Sequence, residues 1–170
     1  MIFVTVGTHE QPFNRLLQYI DGLKEQKIIT EKVIMQIGFS TYNPRYCEWE
    51  KLYSFSRMNE LITEARIIVT HGGPSSFIAP LQIGKIPVVV PRQKKYGEHV
   101  NDHQLEFCRE VAIRQRNIIE VEDIEKLGEV LLNYNQIAIK KEATQSSNNQ
   151  KFCKEFEKLV NDMFEHKEKK

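Results

Sequence analysis

A chain of 170 residues with 41% hydrophobic content carries enough apolar material for one ordinary globular core. Its formal net charge of +1, from 24 basic and 23 acidic side chains, excludes a binder that holds nucleic acid chiefly by neutralising phosphates. Cys47, Cys108 and Cys153 are widely spaced and suit reduced, core-filling thiols rather than a disulfide framework, while no apolar run is long enough to span a bilayer; the expectation is a cytoplasmic chain whose membrane contact is peripheral or through a partner.

Residues 2–6 form an apolar run ending in Gly7-Thr8, with His9 next, and Phe13, Leu16, Leu17 and Ile20 then repeat at helical spacing over residues 13–23. Strand, small turn and amphipathic helix open a doubly wound sheet. The first strand of such a sheet is central, so Gly7, Thr8 and His9 are expected at its ligand crevice. Residues 33–37 read as a second strand ending at Gly38. Residues 45–51 have no regular hydrophobic spacing, residues 52–56 read as a short strand, and residues 58–65 as a short helix with Leu61, Ile62 and Ala65 inward. Phe55 reads as core.

Residues 67–70 are apolar and β-branched, as in a strand buried on both faces of a parallel sheet. His71, Gly72 and Gly73 leave its end with little side-chain bulk, and Pro74 stands where a first helical residue belongs. Ser75 and Ser76 follow in the first turn. Helix N-termini present unpaired N–H groups, so this small turn is expected to let a phosphate approach the backbone. The helix should end near Gly84, and residues 87–91 read as the next strand, completing a βαβ unit. A polar loop at 92–97 precedes Glu98, His99, Asn101, Asp102, His103 and Gln104, whose donors and acceptors suit sugar hydroxyls. They read as the start of a helix over 98–109.

Short strands are expected at 112–115 and 118–121, and Asp123 as the N-cap of a helix over 124–132. Beyond a polar stretch at 145–149, Phe152, Phe156, Leu159, Val160, Met163 and Phe164 have the spacing of a final amphipathic helix. The domain expectation is therefore one unit over 1–170, with 149–166 a C-terminal helix and 167–170 a charged tail.

The stretches T-H-G-G-P-S-S, G-K-I-P-V-V-V-P-R and Y-G-E-H-V-N-D-H-Q, with the opening V-T-V-G-T, resemble the nucleotide-sugar-binding half of GT-B glycosyltransferases. The resemblance is to the family 28 C-terminal-domain group, and within it to small subunits of two-component capsule and exopolysaccharide enzymes of galactosyltransferase type. It implies an α/β fold with a single Rossmann-like doubly wound parallel sheet, the C-terminal half of a GT-B fold. It also implies a UDP-sugar donor, a membrane-associated partner half holding a lipid-linked saccharide acceptor, and work at the inner face of the cell membrane. The Gly7-Thr8 turn would lie near the donor diphosphate, and the loop from Phe55 through Met58 would border the uracil ring. Many relatives have a ribose-binding carboxylate eight residues after the histidine, where this chain has Ala79.

The functional expectation is a UDP-sugar-dependent hexosyltransferase subunit that needs no metal or other cofactor. Gly72, Gly73, Ser75 and Ser76 would hold the diphosphate, Glu98, His99, Asn101, Asp102 and Gln104 would orient the sugar, and the base would lie in the partner or be His9 or His71 at the interface. Two other readings stand beside it. One is a non-catalytic nucleotide-binding subunit that raises a partner's activity; the other is a metal site of His71, His99, Asp102 and His103. A hydride-transferring dinucleotide enzyme is disfavoured, because no G-x-G-x-x-G turn is present.

Overall fold

In the computed structural model, which describes residues 1–141, β1 (Ile2–Thr5) lies between β2 (Val33–Gln36) and β4 (Ile67–His71). β3 (Glu48–Glu50) forms the edge beyond β2, while β5 (Val88–Val90) and β6 (Ile119–Glu120) extend the sheet beyond β4. All five pairings are parallel. The order β3-β2-β1-β4-β5-β6 means that the chain winds outward from β1, returns across it, and winds outward the other way. A crevice follows at the reversal, between the carboxyl ends of β1 and β4.

Alternation along β1 sends its side chains to two cores. Ile2, Val4 and Val6 pack with Leu16, Leu17 and Ile20 of α1 (Asn14–Glu25) and Leu127 and Leu131 of α5 (Leu127–Leu132). On the opposite face Phe3 and Ile68 meet Leu61 and Ile62 of α2 (Phe55–Glu64). A third cluster joins Phe77 of α3 (Pro74–Gln82) to Val89, Ile118 and Cys108 of α4 (His103–Arg114). Both faces are thus covered, the condition under which an all-parallel sheet is stable. The expected α/β, doubly wound, Rossmann-like sheet is the fold observed.

Three expectations need correction. The third strand falls at Glu48–Glu50, inside the stretch without hydrophobic periodicity, and residues 52–56 are not a strand. All three of its residues are exposed, so no apolar alternation marks it. Ser54 instead accepts a hydrogen bond from Arg57 N and caps α2, which begins at Phe55. The helix expected over 98–109 starts only at His103 and runs through Arg114, displacing the strand expected at 112–115. Residues 98–102 are held out of it by contacts across the fold, described below. The last strand is limited to Ile119–Glu120.

Other local signals hold. Pro74 is the first residue of α3, Gly84 has φ +75° just past its end, and Asp123 accepts from Glu125 N at the turn leading into α5. Lys85 donates to the carbonyls of Ile62 at 2.9 Å and Ala65 at 2.7 Å, satisfying the carboxyl end of α2. The helix expected at 149–166 and the tail at 167–170 lie outside the described residues. Among the described residues no helix is long and apolar enough to cross a membrane.

Candidate functional site

The carboxyl ends of β1, β2 and β4 open into a cleft of about 620 Å³. It is lined by Thr5, Gly7, Thr8 and His9 from the end of β1 and its loop, His71, Ser75 and Ser76 from β4 and the start of α3, and Gln36, Leu52, Tyr53, Phe55 and Met58 from β2 and the segment leading into α2. Gln36 is buried, donates to Thr5 Oγ1 at 3.2 Å and accepts from Tyr53 N at 3.1 Å. That pair of bonds fixes the loop before α2 over the strand ends. Phe55, expected in the core, is 83% exposed at the cleft rim, because Ser54 starts the helix one residue earlier and leaves Phe55 in its first turn.

His71 sits at the end of β4 and is only 7% exposed. Its ring fills a slot between two backbone segments: a Cβ on Gly7 would come within 2.4 Å of Cε1, and one on Gly73 within 2.4 Å of Nε2. Gly7 also has φ +72°, which disfavours any side chain. Burial, and after it the charge of Arg92, lowers the His71 pKa to about 4, with the Thr5 backbone opposing. Nδ1 is buried without a hydrogen-bond partner. A ring so enclosed and so hard to protonate is a wall of the site and a poor general base, which corrects one of its two expected roles.

The two glycines after it also have steric tasks. A Cβ on Gly72 would meet Cys108 Sγ at 2.9 Å and Gln104 Cβ at 3.1 Å, so Gly72 lets α4 approach the turn. Gly73, with an ordinary φ of −77°, makes room for the His71 ring. Beyond it α3 begins without a side-chain cap, leaving its first turn open toward a ligand.

A second, mostly apolar pocket of about 500 Å³ lies between the start of α3 and α4, lined by Gly72, Pro74, His99, Gln104 and Phe107 among others. Phe107 stacks on Phe77 with centroids 6.1 Å apart. The rings of His9 and His99 lie 4.9 Å apart, one lining the first cavity and the other the second. The pair therefore stands between two neighbouring cavities, which the first turn of α3 also borders through Pro74 on one side and Ser75 and Ser76 on the other.

Of the polar block at 98–104, His99, His103 and Gln104 line this second pocket, His103 as an exposed side chain at its edge. Glu98 is 3% exposed, and its carboxylate is engaged by Arg15 Nε at 2.7 Å, Arg15 Nη2 at 2.9 Å and Gln93 N at 3.0 Å. Asp102 accepts from Lys94 N at 2.9 Å and lines a different pocket, with Gln93, Lys95 and Arg109. Asn101 accepts from His103 N at the start of α4, a turn-forming contact. Gln104 packs over Gly72 and accepts from Arg92 N at 3.3 Å. The expectation that Glu98 and Asp102 face a sugar is corrected: both hold the β5–α4 connection in shape.

Arg92, at the start of the loop expected to be polar and solvated, is instead an organising residue. It is 1% exposed and donates to the carbonyls of Val6 at 2.9 Å, Gln11 at 2.7 Å, Pro12 at 3.3 Å and Glu98 at 3.2 Å. Burial lowers its pKa to about 10, with Glu98 opposing, so it remains charged at neutral pH. One guanidinium thereby binds the loop after β1 to the loop after β5. Among the described residues no three His, Cys, Asp or Glu side chains converge as a metal site; His103 is exposed and faces Glu106 instead.

Comparison with known proteins adds the following. The glycosyltransferase family 28 C-terminal domain matches residues 1–161. The chain is 26% identical over 144 residues to the UDP-N-acetylglucosamine transferase subunit ALG13 of Yarrowia lipolytica, covering 75% of this chain and 68% of that protein. It is 30% identical over 119 residues to the human protein of the same name, covering 65% of this chain and 10% of that one. Among solved structures, the glycosyltransferase SnogD of Streptomyces nogalater matches 82% of this chain at a TM-score of 0.51 and 16% identity, and the kitacinnamycin glycosyltransferase 81% at the same TM-score and identity. The chain spans only 39% and 36% of those two structures, and at such identity the likeness concerns the fold alone.

Proposed function

The chain belongs to the glycosyltransferase family 28 C-terminal domain family, and on that premise we propose that it is the donor-binding subunit of a two-component, UDP-sugar-dependent glycosyltransferase. The observation that carries this reading is the pair of unlike cavities that border the first turn of α3, on the switch point of the sheet. In it the uridine occupies the larger cleft, its base against exposed Phe55 and its ribose near Thr5 and Gln36. The diphosphate crosses the first turn of α3 at Gly73, Ser75 and Ser76, where N–H groups favour negative charge and would stabilise the departing nucleotide. The sugar enters the second pocket beside His99 and Gln104.

The acceptor and its base belong, in this proposal, to a partner chain. One sheet supplies only the donor wall, whereas transfer needs an acceptor hydroxyl held in line with the anomeric carbon. The partner is the membrane-associated half, it holds a lipid-linked saccharide, and the assembly works at the inner face of the cell membrane. Two donors merit trial: UDP-N-acetylglucosamine, which the names of the two matched relatives carry, and UDP-galactose, from the resemblance to capsule-type subunits. Calorimetric titration of the full chain with UDP and both sugar nucleotides tests the proposal. Micromolar to millimolar binding of UDP with none of NAD is expected, and no binding of any uridine nucleotide, with or without the partner, would overturn it.

A further inference from the structure

We infer that His9 and His99 serve the donor as hydrogen-bond donors through Nε2–H, and that His9 is therefore not the general base. The inference rests on the proposed donor site and deepens it. In each ring Nδ1 accepts a backbone N–H two residues ahead: Gln11 N to His9 at 3.2 Å, and Asn101 N to His99 at 3.4 Å. An imidazole whose Nδ1 accepts must, when neutral, carry its proton on Nε2. The same two-residue turn thus sets the same tautomer in the loop after β1 and in the β5–α4 connection.

The Nε2 atoms make no hydrogen bond among the described residues, and the two rings, 4.9 Å apart, line neighbouring cavities that both border the first turn of α3. They are placed to donate to an anion crossing there. Protonating His9 would put a second hydrogen on Nδ1, against the Gln11 N–H that now donates to it. The charged groups around His9 oppose protonation as well. Arg92 from the end of β5 and His99 from the β5–α4 connection disfavour the cation, and burial does so more strongly than either; Glu10, on its own loop, opposes them. His71, from β4, is the remaining ring in this cluster. A base acting through Nε2 needs that atom unprotonated, the tautomer this loop disfavours.

Glutamine and alanine substitutions separate the two roles. Glutamine places an N–H close to the position of imidazole Nε2 yet cannot act as a base. With the full chain, UDP-N-acetylglucosamine and UDP are titrated by calorimetry into wild type, His9→Gln, His9→Ala and His99→Gln. Glutamine variants are expected within about threefold of wild type and His9→Ala at least tenfold weaker, as for a lost hydrogen bond to a charged group. Transfer by the complex with its partner should survive His9→Gln within about tenfold. Loss of transfer in His9→Gln with donor affinity retained would make His9 the base and overturn the inference, as would equal weakening by Gln and Ala. Absence of binding to wild type would instead remove the donor reading, and this inference with it. Long-range proton–nitrogen correlation on wild-type protein reads the tautomer directly, whatever the variants do to folding; a proton on Nδ1 of His9 would overturn the inference.

Discussion

The imidazole of His71 lies where a side chain on Gly73 would have to be, with only 2.4 Å between its Nε2 and a Cβ at that position. Ring and glycine therefore form one steric unit. Gly73→Ala should displace the ring and destabilise the fold by about 1–3 kcal/mol, the usual cost of overpacking. In a His71→Ala background the same change should cost much less. Urea denaturation of the four-member cycle would read the coupling, expected at about 0.5–3 kcal/mol.

Glu98 and Asp102 should separate by stability. The Glu98 side chain is 4% exposed and that of Arg15 15%, so removing the carboxylate leaves a largely buried cation unpaired. Glu98→Ala should cost about 3 kcal/mol. Asp102→Ala gives up one solvent-facing bond and should cost roughly 1 kcal/mol or less. Chemical denaturation distinguishes them, and equal effects would refute the scaffold role assigned to Glu98.

Phe55→Ala should behave in the opposite sense. At 83% exposure the ring contributes little to folding, so stability should change by no more than about 0.5 kcal/mol. Uridine nucleotide affinity should nevertheless fall by about 1–3 kcal/mol, the range for base–aromatic stacking. Unchanged UDP binding would place the base elsewhere.

Acid stability should fall in two windows. The His71 pKa is about 4 in the fold, below the ordinary ~6.5 of the unfolded chain, so the unfolded state binds its proton more readily. Above ~6.5 nothing is lost; from there down to about 4 stability should drop by up to ~1.4 kcal/mol per pH unit. Asp21 acts lower. Burial alone would raise its pKa, but the N–H groups of Arg45 and Tyr46 and the Tyr42 hydroxyl outweigh it and hold it below the usual range. Its contribution is present above the ordinary carboxylate pKa and is lost as pH falls through the depressed folded value. Urea midpoints at several pH values should flatten in the upper window for His71→Gln and in the lower for Asp21→Asn.

What was legible in the sequence followed from local pattern. The run ending at Thr70 and the Pro74 helix start could be read because burial on both faces leaves a continuous apolar signal and the proline has one favourable place. Glu48–Glu50 could not, since an exposed edge strand needs no hydrophobic side. Glu98 and Arg92 looked like solvated loop charges because their partners are far along the chain; Arg15 is 83 residues from Glu98 and the Val6 carbonyl 86 from Arg92. Phe55 was missed although a signal existed: Ser54 is a good N-cap, and a residue directly after a cap is often turned outward.

The two margins of the sheet bear on how this chain meets other molecules. β3 offers three residues, two of them glutamates, and β6 only two residues, one of them Glu120. Short margins carrying acidic side chains are poor templates for another strand, and they guard against the uncontrolled stacking that open sheets invite. Sheet extension is thus discouraged at both sides of the described fold. Within the described fold, backbone pairing is thus spent inside the sheet, and contact with other molecules falls to side chains.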